Sequence, residues 1–126
     1  MITDLEYALS LKRPHGGAGV AKLCKHIVER VVNGELTVDF CGNIHVDNRE
    51  TEKDRTLFCA HVDTVHRVEG KNNFSYNGKW MHAPKDGPLG ADDGAGVALL
   101  LGLLDNNVPG YYIFFQGEEK GGIGSS

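Results

Sequence analysis

Five side chains in this sequence have the types and spacing of a metal-assisted hydrolytic site: His61 and Asp63, then Asp92, then Glu118 and Glu119. A His-x-Asp pair on an extended segment projects both side chains to the same side. The aspartate can then accept the second imidazole N–H, which fixes the tautomer and makes the other ring nitrogen a better metal ligand. Asp92 offers a carboxylate whose two oxygens can bridge two cations. Paired glutamates can divide the remaining work, one binding metal while its neighbour takes a proton from activated water. Oxygen donors alone would suit a hard cation. The histidine moves the expectation to zinc, with cobalt or manganese as substitutes. Each group taken alone has an ordinary alternative. His-x-Asp is common by chance, Asp92-Asp93 suit the start of a helix as capping residues, and Glu118-Glu119 could form a solvated turn. Their joint occurrence in this order carries the weight.

The elements that must position them are also readable. Thr56 to Ala60 and Tyr111 to Phe115 are short apolar runs of the kind found in strands covered on both faces. His61 and Asp63 follow the first run, and Glu118-Glu119 follow the second. Asp92-Asp93 open a helix predicted over Ala95 to Leu104, apolar nearly all round. In open α/β sheets ligands collect at the carboxyl ends of strands, so three distant segments can converge on one crevice. A second, amphipathic helix is predicted over Gly19 to Val32, with Val20, Leu23, Cys24, Ile27, Val28 and Val31 on its apolar face. Leu36 to Phe40 and Asn43 to Asp47 read as a hairpin around Cys41-Gly42, and Phe74 to Met81 as a small surface hairpin around Asn77-Gly78. Arg49 to Arg55 reads as a charged connector. The class is α/β, with helices packed on a mixed or parallel sheet.

Bulk properties narrow the function further. At 126 residues with 40% hydrophobic side chains, positions 1–126 are expected to form one domain with a real core. A formal net charge of −4 argues against nucleic acid or an anionic membrane as partner, since both reward clustered Lys and Arg. The first ten residues lack the pattern of a secretory signal, and no apolar run approaches the length of a membrane span. Cys24, Cys41 and Cys59 are odd in number and widely spaced. Cys24 and Cys59 sit among apolar neighbours and read as reduced thiols in a core, which suggests a cytoplasmic location.

Three stretches carry a resemblance: Cys59-Ala60-His61-Val62-Asp63-Thr64-Val65, Leu89-Gly90-Ala91-Asp92-Asp93-Gly94-Ala95-Gly96, and Gln116-Gly117-Glu118-Glu119-Lys120-Gly121-Gly122-Ile123-Gly124-Ser125. They resemble the leading motifs of the co-catalytic, two-zinc metallopeptidase superfamily of tripeptidases, aminopeptidases, carboxypeptidases and related deacylases. Asp39-Phe40-Cys41-Gly42-Asn43-Ile44 is similar to the hairpin that precedes the histidine there, and the form around Asp92 is nearest the tripeptidase branch. The resemblance implies a three-layer mixed sheet flanked by helices, in the manner of a zinc exopeptidase catalytic domain. It implies His61 as a ligand of one metal with Asp63 behind it, Asp92 as the bridging carboxylate, Glu119 as a ligand of the second metal and Glu118 as general base. Asp93 would be structural.

The same resemblance implies two further ligands downstream, an acidic residue and a histidine, whereas the sequence stops at Ser126. His66 and His82, the nearest remaining histidines, read as surface residues. The expectation is therefore the N-terminal portion of such a domain: a fragment, a chain completed by dimerising or by a second polypeptide, or a non-catalytic remnant. The substrate class implied is a short peptide, with an N-acyl amino acid as the alternative for a deacylase using the same metal centre.

Overall fold

The computed structural model describes residues 3–122; Ile123, Gly124 and Ser125, the tail of the third motif, lie outside the described residues. In chain order the elements are α1 (Asp4–Leu9), β1 (Leu11–Lys12), α2 (Ala18–Arg30), β2 (Glu35–Val38), β3 (Ile44–Asp47) and β4 (Leu57–His61). There follow β5 (Gly70–Lys71), β6 (Ser75–Tyr76), β7 (Met81–His82), α3 (Ala91–Asp105), β8 (Tyr111–Phe115) and a 3₁₀ turn over Glu118–Lys120. The main sheet runs β2-β3-β8-β4. β2–β3 and β3–β8 are antiparallel, while β4 and β8 are parallel, so the sheet is mixed. The parallel pair needs a crossover, and α3 lies on it.

The predicted β2–β3 hairpin forms because Asp39 organises its turn. Its Oδ1 accepts the backbone N–H groups of Cys41 and Asn43 at 2.9 and 3.0 Å, and Gly42 takes the positive φ of 86°. The small hairpin also forms, as β6–β7, with Asn77 Oδ1 accepting from Lys79 and Trp80. α2 follows its amphipathic pattern at Val20, Leu23 and Ile27, which are buried, whereas Val28 is exposed and Val31 lies just past the helix end. At Gly19 it passes so near β1 that a Cβ would meet the Lys12 carbonyl oxygen at 1.9 Å. α1 was not foreseen from the sequence, although Thr3 and Glu6 form a reciprocal capping box at its start.

One face of the sheet carries the core. Ile44, Val46, Ala60, Tyr112 and Phe114 are buried against Val20, Leu23 and Ile27 of α2 and Val97, Leu100, Leu101 and Leu104 of α3. Each such side chain contributes roughly 1.5–3 kcal/mol by leaving water. Side chains alternate across a strand, so Leu57, Cys59, His61, Tyr111, Ile113 and Phe115 point to the other face. There the expected double coverage is not found: Leu57 is 57% exposed and Cys59 is exposed. Among the described residues the helices pack on one face only. Cys59 is thus not a core thiol, and Cys24 is half-buried with its sulfur accepting from Gln116 Nε2 at 3.1 Å. No described helix is long and apolar enough to cross a membrane.

Candidate metal centre

The parallel register of β4 and β8 sets His61 opposite Phe115, so the segments that leave the two strands start side by side. The Val62 N–H donates to the Phe115 carbonyl at 3.0 Å and continues the ladder one step further. Asp63 comes next and is wholly buried. Its Oδ1 accepts the Glu118 N–H and its Oδ2 the Glu119 N–H, each at 3.0 Å. Gly117, at φ 66°, makes the turn that presents both amides. A buried carboxylate would be costly without partners. Here it is matched by the donors of the turn that carries the two glutamates.

His61 is oriented by its own neighbour, though not quite as the sequence suggested. Its Nδ1 lies 2.9 Å from the Asp63 backbone carbonyl and 3.4 Å from Asp63 Oδ1. Both are acceptors, so Nδ1 carries the proton. The backbone oxygen makes the shorter contact, which leaves the Asp63 side chain to the glutamate turn. Nε2 then faces three carboxylates: Asp92 Oδ1 at 3.0 Å, Glu118 Oε2 at 3.7 Å and Glu119 Oε1 at 3.9 Å. A neutral imidazole presents a lone pair in that direction, and so do the carboxylates. A cation shared among them, whether a proton or a metal ion, would relieve the repulsion of these acceptors. The titration tendencies agree. Burial lowers the His61 pKa, but the hydrogen bonds to Asp92 and the Asp63 carbonyl outweigh it and the net shift is upward. Burial raises the Glu119 pKa, reinforced by Glu118 and Asp92.

The ligand atoms of His61, Glu118 and Glu119 all lie within 4.8 Å of one another, a donor set that fits a divalent metal. Asp92 reaches His61 but stands outside that three-way grouping, with its side chain 85% exposed. Asp93 turns the other way. Its Oδ2 accepts the His61 N–H at 3.2 Å and its Oδ1 the Gly96 N–H at 3.1 Å, which ties the start of α3 to β4. The structure therefore brings all five predicted side chains into one neighbourhood. His82 is exposed, as expected. His66 is not a surface residue: it is buried, in contact with the Thr64 hydroxyl and 3.2 Å from the Pro88 carbonyl. Burial lowers its pKa.

Sequence reasoning missed Arg13. Its side chain is fully buried, with Nε donating to the Val62 carbonyl and NH2 to the Gly90 carbonyl, both at 2.8 Å, and NH1 donating to the Ala8 carbonyl. The main chain adds a reciprocal pair with Thr64, from Arg13 N to Oγ1 at 3.2 Å and from Thr64 N to the Arg13 carbonyl at 2.7 Å. Burial lowers the guanidinium pKa to about 10, opposed by Asp63 and Asp93, so it remains charged at neutral pH. One buried cation thus holds the peptide between His61 and Asp63 and the turn just before Asp92. Lys12-Arg13 has no sequence signal to set it apart from a solvated basic pair.

Two depressions flank the cluster. One, of about 190 Å³, lies on the uncovered sheet face among Cys59, Ala60, His61, Asp93, Phe115 and Glu118. The other, of about 580 Å³, is lined by Pro14, His15, Thr64, Val65, His66, Arg67, Glu119 and Lys120.

Comparison with solved structures fixes the fold. The chain is similar to a tripeptidase from Staphylococcus aureus subsp. aureus Mu50, with a TM-score of 0.75 and 22% identity over 97% of this chain and 37% of that one. It is also similar to an aminoacylhistidine dipeptidase from Vibrio alginolyticus, with a TM-score of 0.70 and 21% identity over 96% of this chain and 28% of that one. This is a peptidase fold, in part. The chain spans well under half the length of either neighbour. No protein-family profile and no curated sequence matches it.

Proposed function

We propose that this chain carries part of the catalytic domain of a metal-dependent peptidase of the two-zinc exopeptidase type, acting on short peptides. The observation that supports this best is the set of carboxylates from α3 and the glutamate turn facing a histidine nitrogen whose other side is fixed. His61 and Glu119 would hold metal, with Asp92 as the shared carboxylate. A bound zinc would polarise the scissile carbonyl and acidify water. Glu118, the more exposed glutamate, takes a proton from the attacking water and returns it to the leaving amine. Asp63 keeps the glutamate turn in register with His61 throughout. Zinc ions are held by about four ligands each, so two ions on these residues would draw others from a further polypeptide segment or a second chain.

Zinc titration of the chain by calorimetry tests this reading. Binding is expected in the native sequence and lost in His61→Ala. Glu118→Gln should retain zinc and lose any tripeptide hydrolysis. Failure of the native chain to take up zinc on reconstitution overturns the reading.

A further inference from the structure

The uncovered face of the sheet carries a second hydrogen-bonded chain of titratable side chains, which shares no residue with the group around His61. Asp39 in the β2–β3 turn, His45 on β3 and Tyr111 on β8 are joined in that order. Asp39 Oδ2 lies 2.8 Å from His45 Nε2, and His45 Nδ1 lies 3.0 Å from the Tyr111 hydroxyl. The antiparallel register sets His45 opposite Ile113, so Tyr111 is its diagonal neighbour on the same face. The two rings meet edge to face, with centroids 5.8 Å apart and planes at 70°.

The protons of this chain can be placed. Asp39 also accepts the backbone N–H groups of Cys41 and Asn43 and the Asn43 side-chain amide. Its pKa is held at about 2, with the His45 hydrogen bond the largest cause. The carboxylate is thus ionised at neutral pH and can only accept, which puts an imidazole proton on Nε2. In the neutral ring Nδ1 then carries the lone pair, and the Tyr111 hydroxyl donates to it. Arg49 lies over the tyrosine ring, 5.5 Å from its centroid, and is itself held by two hydrogen bonds to Asp47. The phenol is therefore fixed from its face as well as from its hydroxyl. The group is also open to reagents: the His45 and Asp39 side chains are 21% and 37% exposed, and Tyr111 is half-buried.

A hydroxyl that donates to an imidazole, whose far nitrogen is held by a carboxylate, is the arrangement that activates a nucleophile. We propose that Tyr111 is an acyl-accepting nucleophile, with His45 as its general base, and that its co-substrate is an activated acyl ester. Tyr111 Oη bonds to the acyl carbon while its hydrogen passes to His45 Nδ1. The bond from that carbon to the ester oxygen breaks, and this oxygen leaves with the electron pair. The imidazolium keeps its Nε2 proton on Asp39 and gives the new proton to the leaving oxygen, so the products are an O-acyl tyrosine and a free alcohol or phenol. Asp39 is a positioning residue that sets the tautomer.

The test is acetylation of the 126-residue chain, stripped of metal with EDTA, by p-nitrophenyl acetate near neutral pH, each site being quantified by peptide mass spectrometry. Tyr76 is the internal reference: it is 58% exposed and its hydroxyl donates to the Gly78 carbonyl, so it has access without a base. Tyr111 is expected to be acetylated at least about tenfold faster than Tyr76. His45→Gln, which retains a hydrogen-bonding amide but no base, should bring Tyr111 down to the Tyr76 rate. A hydrogen bond with a structural role alone gives the opposite sign, because losing it frees the hydroxyl. Nitrogen NMR of the native chain should show His45 as the Nε2–H tautomer, a preference that Asp39→Asn weakens. Equal labelling of Tyr111 and Tyr76, unchanged or faster labelling of Tyr111 in His45→Gln, or an Nδ1–H tautomer overturns the proposal. With metal removed, none of these outcomes bears on the peptidase reading.

Discussion

Asp63 and Asp92 both lie beside His61, and they are held in opposite ways. Asp63 is wholly buried, with both oxygens satisfied by backbone amides. Asp92 has its side chain 85% exposed, and among the described residues its carboxylate is hydrogen-bonded to His61 Nε2 alone. The region behind Asp63 is built in the same manner as Asp63 itself. Arg13 fills it and spends its donors on the Val62, Ala8 and Gly90 carbonyls. The region in front, with Asp92 and Glu118, leaves its oxygens turned toward solvent and toward the imidazole. The inner carboxylate supports the fold and the outer ones are available for a ligand. Proximity to the histidine does not distinguish them; the source of their hydrogen bonds does.

That contrast can be broken by substitution. Arg13→Met should have the largest effect, since it strands three carbonyl acceptors and removes the cation opposite Asp63 and Asp93. A loss of about 3 kcal/mol or more is expected in urea unfolding, and a change under 1 kcal/mol would show that the guanidinium is not holding these segments. Asp63→Asn keeps the volume but replaces one acceptor oxygen with a donor facing a backbone amide. About 1–3 kcal/mol should be lost, and zinc affinity with it, because the glutamate turn is no longer matched. Asp92→Asn should leave urea stability within about 0.5 kcal/mol while weakening zinc binding by at least about tenfold. If Asp92→Asn instead destabilises the chain as much as Asp63→Asn, the division between inner and outer carboxylates fails.

The smallest effect concerns a carboxylate remote from the site. Asp39 is held at a pKa of about 2 by His45, opposed by burial and helped by Asn43 and Cys41. Its folded pKa lies below its unfolded value near 3.9, so its contribution is present above that value and lost as pH falls toward 2. Asp39→Asn should therefore flatten the acid limb of an unfolding curve between about pH 4 and 2, followed by circular dichroism, with no change at neutral pH in that slope.

Much of this arrangement was legible in the sequence because chemistry followed hydrophobicity. Leu57 to Ala60 and Tyr111 to Phe115 stop where His61 and Gln116 begin, so the strand ends and the reactive residues announce each other. The hairpin turns at Gly42 and Asn77-Gly78 were readable for the same local reason. What was hidden depends on the third dimension. A five-residue apolar run does not say whether Leu57 and Cys59 are covered, because that is decided by where the helices lie. Arg13 and His66 look solvated in sequence, and their burial rests on carbonyls supplied by Val62, Gly90 and Pro88. The helix α1 is a different kind of omission: its capping box at Thr3 and Glu6 was present and short enough to pass over.

The parallel pairing of β4 with β8 has a kinetic consequence. Asp63 and Glu118 are 55 residues apart, so the carboxylate meets the glutamate turn only after a long loop has closed. Closure entropy rises slowly with length, by about 0.6 kcal/mol per doubling, while non-local pairing slows folding. The β6–β7 hairpin lies within that loop, and its strands pair only with each other. Residues inserted at its tip would therefore leave the finished chain nearly as stable as before and lengthen the wait before His61 and Glu118 first come together.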